Sequence, residues 1–459
     1  MKFLNEDRLL NNGTDEYRKL RRDALEILGS ALDAVDPKKA IFDKVKREGN
    51  LLRAGGKVYD LTEFKRIFVV GGGKAGGPMA EAIESLLGNK IVGGIVNVLK
   101  GTEKQYRLRQ VKIVGASHPV PNAAGAKGVN DMLRLVSNLN GNDLVIVLIS
   151  GGGSSLLPSP ADGVSLSDLQ DITSILLKKG ATINDLNAVR KHLDSFKGGQ
   201  LVKRCHPAEV LSLILSDVVG DPLDTIASGP TAPDYTTWSD AEKVLKKYDL
   251  WNDSPAPIKA RIELGVNNML EDTPKASDPI FSKVNNVIIA NNSHAAEAAA
   301  SKAQALGYNS MILSTMVEGE ARYVGNVYSG LAREIVSNGR PLNSPAAIFV
   351  GGETTVNVKG SGKGGRNQEV SLGASTGIAN LPCLIASLAT DGLDGPTDSA
   401  GAIVDGSTFE RAMKLGLSID DSLKENDSYP FFFKLGDLLI TGSTGTNVND
   451  LALILVADK

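Results

Sequence analysis

The chain has little of what marks the specialised sequence classes. It carries two cysteines, Cys205 and Cys383, in 459 residues. Two thiols so far apart offer neither a disulfide framework nor the paired spacing of a metal site. Its four histidines are scattered and form no His-x3-His pair, which argues against catalytic zinc. The net charge is only −3, from 50 basic and 53 acidic residues. The basic excess of nucleic-acid and membrane-surface proteins is therefore missing. No apolar run is long enough to span a bilayer. The opening stretch MKFLNEDRLLNNGTDEYRKL is too polar for a signal peptide, and a cytoplasmic location is expected. The Gly-x4-Gly-Lys-Ser/Thr phosphate loop is absent. SGGGSSLL at 150–157 is not a Gly-x-Ser-x-Gly nucleophile elbow, because Leu156 and Leu157 occupy the downstream positions.

What the chain has in plenty is glycine, 49 residues, much of it clustered just after apolar runs where loops approach ligands. With 42% hydrophobic and 22% charged residues it reads as a globular protein. Its length exceeds the usual limit of one core, so two domains are expected. The boundary falls in the charged, proline-bearing stretch 271–279. That gives domains at 1–280 and 281–459.

The stretch Arg66–Glu84 carries the first chemistry. A strand-like run ends in Gly71, Gly72 and Gly73, then Lys74, then two more glycines and a helical pattern. Strand, glycine turn and helix aim backbone N–H groups at an anion, and Lys74 adds a mobile charge. Gly71-x-Gly73-x-x-Gly76 matches the dinucleotide fingerprint in form. The next strand, however, ends in Asn97-Val98-Leu99-Lys100, without the acidic residue that would hold a ribose. Upstream, helices are expected over 14–35, after a Thr14-Asp15 start, and over Lys38–Arg47. The clearest buried strand, Asp143–Ser150, leads into the second glycine turn, with hydroxyls at Ser150, Ser154 and Ser155. His118 lies in a proline loop and reads as a loop histidine bonded to backbone, with a catalytic role as the alternative.

Further along, Arg190, Lys191 and Lys197 make a basic stretch ending in a Gly-Gly cap. Asp217 sits where the strand Val210–Leu215 would end, with Asp221 and Asp224 in the loop after it. Carboxylates at strand ends suit Mg2+ or a substrate hydroxyl. A βαβα rhythm resumes near Lys283 and indicates parallel sheet. Glu353 ends a strand after two glycines. The loop 356–369 alternates glycine with Lys363 and Arg366, and its composition reads as mobile and basic, able to close over a polyphosphate. Asp391, Asp394 and Asp398 follow another strand end, and a Gly/Thr-rich turn carries Asn447 and Asp450. This inventory defines a phosphate enzyme of the α/β class without naming its substrate.

Eight motifs in order then point to one family. GGGKAGGPMA, SGGGSSLL, NAVRKHLDSFKGGQL, LSDVVGDPLDTIASGPT, GGETTV, GKGGRNQE, ATDGLDGPTDSAGA and TGSTGTNVNDL resemble the glycerate 2-kinase family with its MOFRL-type C-terminal domain. The resemblance implies an α/β fold with a Rossmann-like three-layer N-terminal domain and a smaller α/β C-terminal domain, with the active site in the cleft between them. It implies ATP- and Mg2+-dependent phosphorylation of D-glycerate to 2-phosphoglycerate. It makes Lys74 and Arg366 essential and matches its acidic strand ends to Asp217, Asp221 and Asp391. On that basis Lys74 neutralises the transferring phosphoryl group or orients glycerate. Ser150, Ser154, Ser155, Arg190 and Asp221 serve the substrate. Gly72, Gly73, Lys197, Glu353, Lys363, Asn367 and Asn447 contact the nucleotide, with Arg366 clamping the triphosphate. Asp217, Asp221 and Asp391 are the metal candidates, and Asp217 or Asp221 is the candidate base. The expected partners are D-glycerate and ATP, with no nucleic acid or membrane, and a homodimer. The alternatives are an NAD(P)H-dependent hydroxypyruvate reductase, a label also given to relatives, and a non-catalytic binding protein.

Overall fold

Asp143–Ile149 is apolar without alternation, and a strand of that kind is stable only when both faces are covered. In the computed structural model, which describes residues 2–12 and 15–458, all seven of its residues are buried. Burying each aliphatic side chain contributes about 1.5–3 kcal/mol, an upper range because the unfolded chain is itself partly compact.

The strands are numbered along the chain. A small antiparallel sheet comes first: β1 (Val45–Glu48), β2 (Leu51–Ala54) and β3 (Lys57–Asp60). The main sheet of this part contains β4 (Arg66–Gly72), β5 (Ile91–Leu99), β6 (Val111–Ala116), β7 (Asp143–Ile149), β8 (Glu209–Leu215) and β9 (Val284–Ala290). Its order is β6-β5-β4-β7-β8-β9, and the pairs from β6 through to β8 are parallel. Counted from β4, this is the order 3-2-1-4-5-6 of doubly wound α/β sheets. Capping boxes at Ser165/Asp168 and Thr237/Asp240 set the starts of helices Leu166–Lys178 and Trp238–Lys247. These helices pack around Trp238 and the helix Ile183–His192.

The second sheet holds β10 (Asn309–Glu320), β11 (Ala346–Thr355), β12 (Cys383–Ala389), β13 (Gly401–Asp405), β14 (Leu438–Leu439) and β15 (Asp450–Val456). Its order is β10-β11-β15-β12-β13-β14. Only β10 and β11 pair in parallel; β15 runs antiparallel to both β11 and β12. No helix among the described residues is long and apolar enough to cross a membrane.

The two compact units are not the expected 1–280 and 281–459. One is Ala40–Ile289; the other joins the segment ending at Lys39 to the segment from Ala290 onward. The cause is the helix Asp15–Ala34, whose buried Leu20, Ala24, Ile27, Leu28 and Ala31 form an apolar face. It packs on the helix Asn292–Ala305 and on β12 and β15. Its Arg21, fully buried, donates to Asp405 at 2.7 Å, Asp437 at 2.8 Å and the Leu9 carbonyl at 3.0 Å. The helix Asp15–Ala34 was expected to start at Thr14, which lies outside the described residues. The helix expected over Lys38–Arg47 runs instead over Pro37–Lys44, where β1 takes over.

Replacing Arg21 with Met removes the cation that Asp405 and Asp437 share in a dry interior. It should lower stability by about 3–5 kcal/mol, read as a shift of the urea midpoint. A second expectation concerns acid. Asp272 is partly buried, which alone would raise its carboxyl, but the hydrogen bond and charge of His192, with help from Lys275, hold it down to about 2. A depressed carboxyl contributes stability above its unfolded value near 3.8, and that contribution is lost as pH falls through about 2. The stability advantage of the wild type over Asp272→Asn, at most about 2 kcal/mol at pH 6, should therefore shrink between pH 4 and 2 in acid denaturation curves.

Candidate active site

The strand order reverses between β4 and β7, and α/β sheets bind ligands in the crevice at such a reversal. Gly72 pairs with Ile149 across these two strands, so both glycine turns leave the sheet at one level. They are then stitched together. Ser150 N–H donates to the Gly72 carbonyl at 3.2 Å and Lys74 N–H to the Gly151 carbonyl at 2.8 Å. Ala75 N–H donates to Ser150 Oγ at 3.0 Å. A Cβ at Gly71 would run into Leu148, and one at Gly73 into Ser150. Both glycines also hold positive φ, 132° and 140°, so the close approach of the turns requires glycine at each.

The stitching changes the reading of the first turn. Gly73 N–H donates to the Asn97 carbonyl and Gly76 N–H to the Gly73 carbonyl. The amides of residues 73–76 are thus all engaged within the protein, whereas a pyrophosphate cradle needs them facing the ligand. The Tyr106 ring fills the space where a side chain at Gly77 would go. Asn97, near the end of β5, is buried, and its Nδ2 donates to the carbonyls of Gly125 and Leu156 at 3.0 and 2.7 Å. Gly72 and Gly73 are therefore tightly packed positions, and the Gly73 amide expected at the nucleotide is taken by the Asn97 carbonyl. Ser150 is likewise buried and bonded inside the turn, so its hydroxyl is structural rather than substrate-binding.

The second turn is arranged differently. Its internal bonds come from the N–H groups of Gly153, Ser155, Leu156 and Leu157, not from those of Gly151 and Gly152. Gly152 is left-handed at φ 77°. A Cβ built on it would lie 3.0 Å from the His118 ring and 3.4 Å from Lys74 Cγ. Lys74 and His118 thus converge over Gly152. Surrounding protein lowers the His118 pKa below the usual histidine value, and the Lys74 charge lowers it further. Ser154 and Ser155 line a small pocket of about 30 Å³ with Arg190, Asp194 and Lys197. Ser154 Oγ is 2.9 Å from Ser228 Oγ, which donates on to Asn187. Arg190 donates to Thr173 Oγ1 at 3.3 Å, and burial lowers its pKa against the pull of Asp194.

Lys197, at the edge of that pocket, is held by protein partners. Its ammonium is buried and donates to Asp194 at 2.6 Å and to the Leu157 carbonyl at 2.9 Å. Burial lowers its pKa, with Asp194 opposing. The expected Gly-Gly helix cap is also different: the helix ends at His192, and Gly199 precedes the next helix, Gln200–Cys205. Asp217 and Asp221 lie half-buried in the loop after β8, Asp221 with φ 55°. Among the described residues, no group of three or more His, Cys, Asp or Glu side chains is arranged to hold a metal ion.

In the other unit, Arg366 begins the helix Arg366–Ser375. Its guanidinium grips Asp450 with two bonds, from Nε at 2.6 Å and Nη2 at 3.0 Å, while Nη1 donates to Glu353 at 2.8 Å. Arg366 and Glu353 line a pocket of about 640 Å³ with Val356, Val358, Gly362 and Pro396. That volume suits a nucleotide-sized ligand. Burial would lower the Arg366 pKa, but the carboxylates, Asp450 first, raise it overall. Burial raises the Asp450 carboxyl, and the Arg366 fork works against that rise.

Asp394 explains why the helix begins at Arg366. Its buried carboxylate accepts from the N–H groups of Asn367 and Gln368 at 3.0 and 2.9 Å, satisfying amides that helix starts leave open. Asn367 is itself buried, its side chain held by Asp394 and Ser387, and so is not the nucleotide contact expected. The preceding loop is fastened rather than mobile. Gly362 N–H donates to Glu425, Lys359 and Gly360 N–H to Asn426, and Lys363 N–H to Asp427. The exposed Lys363 ammonium sits 4.4 Å from the Tyr429 ring centre. Asp391 accepts from Leu393 N–H within its turn, and Asn447 from Asn449 N–H. Sequence reasoning missed the roles of Asp394 and Asp450, and weighed His118 as catalytic only as an alternative. Both acids lay in motifs, but only a fold shows which of several polar residues in a loop turns inward.

The chemistry gathered at these two places is that of an α/β enzyme handling small anions. Comparison with known proteins narrows this to one family. Residues 23–263 match the model for a domain of unknown function, DUF4147, and residues 346–450 match the MOFRL family. A protein named glycerate 2-kinase from Pyrococcus horikoshii is 41% identical over 96% of this chain and 98% of its own. One named D-glycerate 2-kinase from Thermotoga maritima is 42% identical over 95% and 98%. The crystal structure of the Thermotoga maritima glycerate kinase superposes with a TM-score of 0.85 at 41% identity, covering 96% of this chain and all of that one. The chain belongs to the glycerate kinase family of joined DUF4147 and MOFRL domains.

If Lys197 is structural, Lys197→Met leaves Asp194 buried without its cation. The expected result is a loss of about 3–5 kcal/mol in denaturant unfolding, with the KM for ATP unchanged.

Proposed function

We propose that the chain is a glycerate 2-kinase, transferring the terminal phosphoryl group of ATP to the C2 hydroxyl of D-glycerate. The observation that carries this reading is identity of 41 and 42% to glycerate 2-kinases along nearly the full length of both chains. Phosphoryl transfer requires positioning and charge neutralisation rather than covalent work by the protein. Lys74, beside the Gly151–Gly152 backbone, is suited to neutralise the transferring group or hold glycerate. Ser154, Ser155 and Arg190 are suited to the glycerate carboxylate and hydroxyls. Arg366 and Glu353, which line the large pocket of the second unit, and the nearby exposed Lys363 are suited to the nucleotide. A hydroxypyruvate reductase would need a dinucleotide cradle at this turn, and the amides of residues 73–76 are engaged within the protein.

Mg2+ belongs to the same reading. It binds by one or two carboxylates together with substrate phosphates, so a cage of three protein ligands is not required. Asp217 and Asp221 have the right donor chemistry at a strand end, and Asp391 offers a third carboxylate in the other unit. Bound with the nucleotide, the ion would neutralise phosphate charge. Whichever of Asp217 and Asp221 is not engaged by metal would accept the C2 hydroxyl proton. A cytoplasmic, homodimeric enzyme completes the proposal.

In a coupled assay, ADP should form only with ATP, D-glycerate and Mg2+ all present. EDTA should abolish turnover and added Mg2+ restore it. Phosphorus NMR should identify 2-phosphoglycerate. Lys74→Ala should lower kcat/KM by about a hundredfold or more, with its melting temperature preserved. Arg366→Ala should lower kcat/KM at least as far while also losing stability, because it leaves buried Asp450 without its cation. Oxidation of NADH with hydroxypyruvate, without ATP, would sink the proposal.

A further inference from the structure

The two carboxylates on Arg366 are unequal partners. Asp450 is buried, its side chain 9% exposed, and takes two of the guanidinium bonds in the parallel geometry that fixes the plane of the group. Glu353 is 42% exposed and takes a single bond, from Nη1. Asp450 opens the strand β15, and Glu353 lies near the end of β11 beside it; the Gly352–Asp450 pairing brings both acids within reach of one guanidinium. An exposed single-bond ion pair contributes little in water, whereas a buried bidentate one is costly to break. When an anionic ligand enters the pocket that Glu353 and Arg366 line, Glu353 is the partner that yields.

From this geometry we infer that Glu353 is an internal stand-in for a substrate anion at Arg366 Nη1, while Asp450 is the positioning residue that keeps the guanidinium aimed at the pocket. The incoming group is an anionic oxygen, either a phosphate oxygen of ATP or the carboxylate of D-glycerate. The inference rests on the kinase reading and changes one part of it: Glu353 competes with the ligand instead of contacting it.

The two acids then have opposite effects when altered. Glu353→Gln weakens the competitor and should tighten binding of its ligand by about fivefold. Asp450→Asn frees the guanidinium to turn away and should weaken the same ligand and lower kcat. Isothermal titration with the non-hydrolysable ATP analogue AMP-PNP and, separately, with D-glycerate identifies the source of the anion, because only one titration should tighten in Glu353→Gln. The gain should disappear in an Arg366→Met background, an interaction between sites that a purely structural effect of Glu353 would not produce. If Asp450→Asn fails to fold, the Glu353→Gln comparison alone decides. Unchanged or weaker binding of both ligands in Glu353→Gln overturns the inference, as does a gain that survives in Arg366→Met. Wild-type protein that binds neither ligand overturns the kinase reading and this inference together.

Discussion

One contact governs the first unit: the seam between the turns after β4 and β7. Three hydrogen bonds, through Ser150 and the backbones of Gly72, Lys74, Ala75 and Gly151, hold two loops from adjacent strands as a single surface. The seam fixes where Lys74 leaves the backbone, and therefore its approach to Gly152 and His118. It also uses up amides that this turn would otherwise offer to a pyrophosphate. A motif that looks like a cofactor turn has in this way become a rigid mount for one lysine. The same backbone pattern serves a different end because the adjacent loop reaches it first.

The second unit solves its own positioning problem with buried carboxylates. Asp394 caps the helix that Arg366 begins, and Asp450 sets the plane of the Arg366 side chain. One acid fixes where the arginine starts, the other where it points. The glycines at 360, 362, 364 and 365 allow this packing, since a Cβ at any of them would strike residues 425–428 or the Asp394 carboxylate. Their abundance reflects close contact, not mobility.

Much of this arrangement was legible in the sequence. Apolar runs ending in glycine located the strand ends, and the ordered motifs identified the family. Lys74 is where strand–turn–helix logic puts it, whereas Arg366, read as part of a mobile basic loop, instead begins a helix. What the sequence hid was the direction of side chains within loops. Ser150, Lys197 and Asn367 have the chemistry of ligand contacts, yet each is buried against a partner from a neighbouring segment: Ala75, Asp194 and Asp394. Loop residues carry no periodicity, so nothing in the local pattern separates an inward hydroxyl from an outward one. The placement of the N-terminal helix was equally hidden. Its apolar stripe shows that it packs, but not which of two cores receives it.

That helix has a consequence for how the protein is made. The unit containing β10–β15 is discontinuous: its first 39 residues leave the ribosome some 250 residues before the rest. Domains fold as units during synthesis, so Ala40–Ile289 can be complete while the early helix still lacks its partners. Asp405 and Asp437 emerge near the end of translation, and only then is the charge of Arg21 matched. In architectural terms Ala40–Ile289, with the sheet of β4–β9, is a guest domain inserted into a host, and the host closes around its own early helix Asp15–Ala34 last.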